Sequence, residues 1–289
     1  MGLPIGVFLL VGLAAGAPHE PALRVGTATR NPPWAYVPGL DYAKDDPTKP
    51  PRLTQAQLRH LAGLDVDVMN ALAGRLGARV EWVPRIWADL ESGLVDRRYD
   101  VLIGSWTPSV ETPETIVATT PYCDWGLLLG VRSDDASIRS YADLDGKRVG
   151  HVQDPAVERS LKAMGRGRFV AMSGEMRLLG ALEARDLDAV MFDSVFARWR
   201  AAHDPSLRVV GEPLNRLGYH LGVRREDTAL FDRLEAAVKA LVGSGEAQAI
   251  RQRWDGPDSV PPPPSGASRG DGPPSRRGPG ALAKGGRRH

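Results

Sequence analysis

Between residues 22 and 255 apolar positions come in short blocks with two alternating periods. The runs Leu23–Thr27, Arg79–Val83, Val101–Gly104, Gly126–Val131, Arg148–Val152, Phe169–Met172, Ala189–Phe192 and Tyr219–Val223 are bounded by Gly, Pro or charged residues, which predicts strands. Val66, Met69, Ala73 and Leu76 line one face of a predicted helix, with Gly77 placed as a left-handed cap. Leu230, Leu234, Val238 and Leu241 line another. Strands alternating with helices imply α/β architecture with largely parallel sheets. In such sheets ligands sit beyond the carboxyl ends of the strands, so the residues that follow each strand are the candidates for function.

The two ends break this pattern. Residues 3–15 form an apolar run followed by Ala15-Gly16-Ala17, the shape of a signal-peptide core and its cleavage site. The run is short of the roughly 20 residues a membrane span needs. It also has no preceding Lys or Arg, and a buried strand or helix is the alternative. No Cys near residue 17 offers a lipid anchor, so a soluble periplasmic protein, cleaved near Ala17, is expected. From Gly256 to His289 the 34 residues hold eight Pro, eight Gly and six Lys or Arg, a composition that predicts a disordered basic tail.

Composition sharpens this only in part. The 289 residues carry 37 Lys+Arg against 35 Asp+Glu, and without the tail the balance is 31 to 33. The basic character therefore belongs to the tail, and no nucleic-acid partner is expected. A single cysteine, Cys123, excludes an internal disulfide and a cysteine-based zinc cluster. The six histidines show no metal-ligand spacing, and neither a nucleophile elbow nor a phosphate loop is present, so no cofactor, metal or catalytic residue is expected.

A set of motifs in fixed order does more. Leu23-Arg24-Val25-Gly26-Thr27, Gly63-Leu64-Asp65-Val66-Asp67-Val68, Tyr99-Asp100-Val101-Leu102-Ile103 and Thr120-Pro121-Tyr122 occur in that sequence. They are followed by Asp143-Leu144-Asp145-Gly146-Lys147-Arg148-Val149-Gly150, by Leu187-Asp188-Ala189-Val190-Met191-Phe192-Asp193-Ser194, and by Gly243-Ser244-Gly245 leading to Trp254. The chain thereby resembles the family 3 extracytoplasmic solute-binding proteins, the amino-acid-type receptors of ABC importers, over about 230 residues. The resemblance implies a two-lobed periplasmic-binding-protein type II fold: two mostly parallel sheets joined by a two-strand hinge, with ligand held between the lobes. Lobe 1 would comprise 22–128 plus 218–255 and lobe 2 129–217, with crossings near Gly126–Arg132 and Leu214–Tyr219. The implied partners are a small-molecule ligand and a membrane ABC permease, and a monomer is expected.

The cleft is where this chain departs from the pattern the resemblance implies. Relatives follow the loop threonine, here Thr107 after Ser105 and Trp106, with an arginine that forks onto a ligand carboxylate. That position is Thr112, and no Arg or Lys lies between Gly104 and Tyr122. The lobe 2 anion site at a helix start reads Gln153-Asp154-Pro155-Ala156, so Asp154 would put a negative charge there. Asp193 stands where relatives grip a ligand ammonium, although capping the following helix is the alternative use of that side chain.

Trp34, Trp87 and Trp106 follow strand ends and are expected in the cleft, where aromatic faces beside a carboxylate favour cations. Trp125 is left open, and Trp82 and Trp199 read as core. Arg30 and Asn31, in the first cleft loop, could supply a relocated carboxylate contact, as could Arg85. Between Val37 and Leu64 an insertion, a Pro-rich loop over Pro38–Leu53 and a helical stretch over Thr54–Ala62, emerges beside the cleft. The leading function is a receptor for a small polar ligand, amine-bearing or cationic. A cyclohexadienyl-dehydratase-like enzyme and an accessory protein of a periplasmic quinoprotein dehydrogenase are the alternatives.

Overall fold

The computed structural model describes residues 21–256 apart from 43, 44, 47 and 154. The apolar run at 3–15, the tail beyond Gly256 and Asp154 therefore lie outside the described residues. The chain opens with β1 (Ala22–Ala28), which runs into a small ribbon of β2 (Arg30–Asn31) and β3 (Ala35–Tyr36). Helices α1 (Gln55–Leu58) and α2 (Leu64–Leu76) lead to β4 (Arg79–Arg85), and α3 (Leu90–Val95) leads to β5 (Val101–Leu102). Three strands follow, β6 (Ile116–Ala118), β7 (Cys123–Trp125) and β8 (Leu127–Arg132). Then come β9 (Arg148–Val152), α4 (Pro155–Met164), β10 (Arg168–Met172), α5 (Glu175–Glu183), β11 (Ala189–Asp193), α6 (Ser194–His203) and β12 (Leu207–Val210). The chain returns through β13 (Leu217–Tyr219) and β14 (Gly222–Arg224) and ends in α7 (Thr228–Gly243) and α8 (Glu246–Asp255).

Two five-stranded sheets result, ordered β4-β1-β5-β14-β6 and β10-β9-β11-β8-β12. Each is mixed, with β1 parallel to β4 and β5, β9 parallel to β10 and β11, and the remaining two pairings antiparallel. The parallel halves are the segments whose strands alternate with helices. The antiparallel strands β8, β14 and β6 enter without a crossover helix while β12 follows α6, and β6 and β12 are the two of these four that hydrophobic periodicity does not single out. Between the sheets β7 and β13 pair antiparallel, Cys123 opposite Tyr219 and Trp125 opposite Leu217. The first crossing thus lies at Cys123–Trp125, just upstream of the expected Gly126–Arg132, because β8 already pairs with β11 from Leu127 onward. The predicted strand Tyr219–Val223 divides into the end of β13 and the start of β14.

Two glycines record close approaches that fix this arrangement. A Cβ at Gly26 would lie 2.3 Å from the Tyr99 ring, which is buried beneath β1. A Cβ at Gly126 would lie 2.0 Å from the carbonyl oxygen of Asn215, where the two crossings pass each other. The largest apolar core is continuous across both sheets: it includes Val25, Met69 and Leu234 on one side and Leu178, Phe192 and Trp199 on the other. Tyr36 sits at the junction, edge-on to Trp199 of α6 at 6.3 Å and to Trp254 of α8 at 6.4 Å.

The insertion is fastened to the first loop. Thr54 and Gln57 form a reciprocal capping box that starts α1, and Ala62 bridges back to Tyr36. The buried Tyr42 hydroxyl donates to the Thr29 carbonyl (3.1 Å) and accepts from the Val37 N–H (3.0 Å).

Candidate functional site

The carboxyl ends of β5 and β11 and the two crossing segments converge on two aspartates, Asp65 fully buried and Asp193 half-buried. Asp193 ends β11 and caps α6, its Oδ1 accepting from the Val195 N–H at 2.7 Å. Its other oxygen accepts from the Tyr219 hydroxyl of β13. The helix-capping use of Asp193 is therefore real, and it leaves the second oxygen to face the crossing. Burial is the main reason its carboxyl is pushed up to about 7, partly offset by the Tyr219 and Val195 bonds. Glu175, the first residue of α5, raises it further, and its own carboxyl is also pushed up by burial.

Asp65, in the first turn of α2, is fully buried and accepts from the Ser105 N–H (2.7 Å) and the Tyr122 hydroxyl (2.6 Å). Burial pushes it up to about 7 as well, and the Asp193 charge contributes in the same direction. Burial thus pushes both aspartates above their ordinary values, and a cation entering beside them would favour their ionised forms.

Tyr219 is the hub of the aromatic surroundings. Trp125 stacks on it (5.6 Å, 16°), Trp34 meets it edge-on (6.3 Å), and Tyr122 tilts against it (6.1 Å). Trp34 also stacks on Phe196 of α6 at 6.4 Å, so this ring is shared between the first loop and the second sheet's helix layer. Its indole N–H is buried without a hydrogen-bond partner in the structure. Thr107 holds Trp125 in place: its hydroxyl accepts from the Trp125 indole N–H (2.9 Å) and donates to the Gly218 carbonyl (2.8 Å).

The sequence candidates thus divide. Asp193, Trp34 and Thr107 come together around Tyr219. Asn31 and Ser105 meet beside Asp65, the Asn31 amide reaching the Ser105 hydroxyl at 3.5 Å. Ser105 adopts a positive φ of 49°, which aims its N–H at Asp65. Trp106 and Trp87 go elsewhere, into the cluster of Leu90, Leu94, Tyr99, Leu102 and Ile116. Leu102 and Gly104 already face α3, and Trp106, beyond the left-handed Ser105, joins the same cluster. Its indole N–H donates to Glu91 at 2.9 Å, and Thr112 donates to the same oxygen at 2.8 Å.

Arg30 is turned to the insertion, donating to the Lys49 carbonyl (2.8 Å) and the Asp46 carbonyl (3.3 Å). Arg85 pairs with Asp89 at 2.8 Å. Arg251 of α8, the arginine whose charge acts on Asp193, donates to the Asp124 carbonyl (2.7 Å) and to Asp255 (2.9 Å). Helix α4 starts at Pro155, as the Asp-Pro pair predicts.

Sequence reasoning missed Asp65, Tyr122, Tyr219 and Glu175 as site residues. For Asp65 a signal existed. It shares a helix face with Met69 and Leu72, at i+4 and i+7, so a carboxylate stands at a core position. Buried carboxylates require partners, and these came from a strand loop and a crossing strand about 40 and 57 residues away. Among the described residues no group of three or more His, Cys, Asp or Glu could hold a metal ion. No helix among them is long and apolar enough to cross a membrane.

Comparison with known proteins agrees with this architecture. The chain is 25% identical over 200 residues to a probable amino-acid ABC transporter-binding protein of Haemophilus influenzae, covering 68% of this chain and 77% of that one. It is 26% identical to the L-cystine-binding protein TcyJ of Escherichia coli (73% and 80% covered) and 27% identical to the L-arginine-binding protein of Pseudomonas aeruginosa (74% and 89% covered). Among solved structures, a mutant of the arginine-binding protein of T. maritima superposes with a TM-score of 0.60 at 25% identity, covering 81% of this chain and 94% of that one. An ancestral cationic amino acid solute-binding protein shares the fold with a TM-score of 0.64 at 22% identity, covering 81% and 95%. The model for bacterial extracellular solute-binding proteins, family 3, matches residues 40–257, and the chain belongs to that family.

Proposed function

We propose that the chain is an extracytoplasmic receptor that delivers a small cation to an ABC permease, gripping an ammonium or guanidinium on Asp193. The observation that carries this reading is the half-buried Asp193 carboxylate at the end of β11, bonded to Tyr219, whose ring is packed by Trp34 and the stacked Trp125. A desolvated cation beside aromatic faces gains about 1–2 kcal/mol per contact. Asp65 and Glu175 add negative charge to the same region. No obligatory carboxylate fork is part of the proposal. Thr112 holds the arginine's place, and Arg30, Arg85 and Arg251 are engaged by the chain itself. Relatives whose names specify arginine bind a ligand with such a cationic end, and the proposed ligand keeps that end.

In this reading the lobes are 22–128 plus 218–255 and 129–217, the paired strands β7 and β13 serve as hinge, and closure follows ligand capture. The mature protein begins near residue 18 and acts as a monomer in the periplasm. The named relatives are binding proteins, and neither they nor the site's geometry supports the dehydratase alternative.

Titration calorimetry with arginine, agmatine and putrescine tests the proposal. Cation binding should weaken about a hundredfold in Asp193→Asn, which leaves a buried cation unpaired. Strong binding of ordinary amino acids that survives Asp193→Asn and is lost in Arg30→Ala would replace it with a relocated carboxylate site.

A further inference from the structure

Asp193 has one oxygen committed to the helix it caps, and the side-chain donor on the other is a phenol. We propose that Tyr219 sets the affinity and the selectivity of the site by competing with the ligand for Asp193 Oδ2, so that only a cation bearing N–H donors binds well. This rests on the reading of Asp193 as the cation anchor and concerns a residue which that reading uses only as a wall.

The competition follows from the position of the hydroxyl. Tyr219 cannot swing freely, because its ring is fixed by Trp125 at 5.6 Å, Trp34 at 6.3 Å and Tyr122 at 6.1 Å. Trp125 is in turn fixed through Thr107 to the Gly218 carbonyl, one residue before Tyr219. The phenol is thus presented to the carboxylate by the crossing strand itself. Buried and beside an acid, it resists ionisation and stays a donor, its own pKa raised by burial and by Asp193. An incoming ammonium or guanidinium meets an oxygen already hydrogen-bonded and must offer a stronger, charge-assisted bond in its place. A quaternary ammonium has no N–H to offer. The aromatic walls alone would favour it, but it would leave the Tyr219 bond intact and gain no direct bond to the anchor.

The neighbouring pair supplies a control. Tyr122 donates to Asp65 in the same way from the other crossing strand, but Asp65 is fully buried and its second oxygen is held by a backbone N–H. Loss of the Tyr122 hydroxyl therefore removes a comparable bond without freeing the anchor.

The experiment is calorimetric titration of wild-type protein, Tyr219→Phe, Tyr122→Phe and Asp193→Asn with agmatine, putrescine and tetramethylammonium. Tyr219→Phe should bind agmatine or putrescine about fivefold more tightly, the worth of one competing hydrogen bond, while Tyr122→Phe stays within about twofold. Wild-type protein should bind tetramethylammonium at least about tenfold more weakly than putrescine. Unchanged or weaker binding in Tyr219→Phe, with binding still lost in Asp193→Asn, overturns the competition and leaves the anchor standing. Failure of every cation to bind wild-type protein overturns both. Should Tyr219→Phe not fold, wild-type protein carrying 3-fluorotyrosine gives a second readout by fluorine NMR. A ligand-induced shift in a tyrosine resonance supports the exchange of partners, and no shift on saturation overturns it.

Discussion

The two crossing strands carry two tyrosine–aspartate pairs that look alike and differ in kind. Tyr122 in the first crossing donates to Asp65, and Tyr219 in the second donates to Asp193. Asp65 is sealed: no part of the residue reaches solvent, and its partners join α2 to the loop after β5. Asp193 retains partial exposure, sits at the end of a strand where ligands of α/β sheets bind, and faces rings contributed by three separate segments. The same chemical pair therefore fastens the first sheet to the crossing in one place and, in the other, leaves the second sheet with a partly exposed carboxylate, the proposed anchor. Residue type alone does not separate a structural carboxylate from a binding one. Both make the same two bonds to the chain, a backbone N–H and a tyrosine hydroxyl, and access separates them.

The largest expected effect that sharpens this contrast is on stability. Asp65→Asn leaves either the Ser105 N–H or the Tyr122 hydroxyl without its acceptor and should cost about 1–3 kcal/mol in denaturant unfolding, with cation affinity changed less than about threefold. The reverse pattern, stability kept and binding lost, would make Asp65 the anchor.

The next effect is on pH dependence. Both aspartates rise from an ordinary value of 3.8 to about 7 on folding. The native state then holds protons that the unfolded chain has already released, so these groups favour folding most below about pH 4, and the advantage is lost as pH rises to about 7. Thermal unfolding of ligand-free protein should show this decline, and Asp65→Asn or Asp193→Asn should flatten it. Cation binding runs the other way, because it needs ionised Asp193. Affinity should fall as pH drops below 7, and binding at pH 7 should release protons, measurable by calorimetry in buffers of different ionisation enthalpy.

The smallest effect concerns the brace. Thr107→Val removes the hydroxyl that orients Trp125 and should cost about 1 kcal/mol of stability with a several-fold loss of cation affinity. Retained affinity would mean that Trp125 is held by its stacking on Tyr219 alone.

Much of the scaffold was legible before any coordinates. The parallel strands announced themselves as apolar runs between helical stretches, and α2 ended at Gly77, which takes the left-handed conformation expected of it. Thr54 and Gln57 began α1 through side chains three residues apart, and Pro155 began α4. The short strands β6 and β12 escaped, because three or four residues paired at a sheet edge carry no period of their own. The site was legible only where function depended on a strand end, as with Asp193, Thr107 and Trp34. Trp106 shows the limit: it follows a strand, yet beyond the left-handed Ser105 it packs into the α3 side of the core.

What the sequence by itself determined, then, is the class of fold, the order of its elements, the absence of Arg and Lys between Gly104 and Tyr122 and the acid at residue 193. These depend on local preference and on spacing along the chain, which a one-dimensional pattern records. Only the tertiary structure decided which acid is sealed and which is open, that Arg30 is spent on the insertion, and that Tyr219 holds Asp193 under Trp34 and Trp125. Those facts depend on partners from 16 residues apart, as Arg30 and Asp46, to 185 apart, as Trp34 and Tyr219. Burial and hydrogen-bond satisfaction are properties of their meeting, and no residue carries them alone.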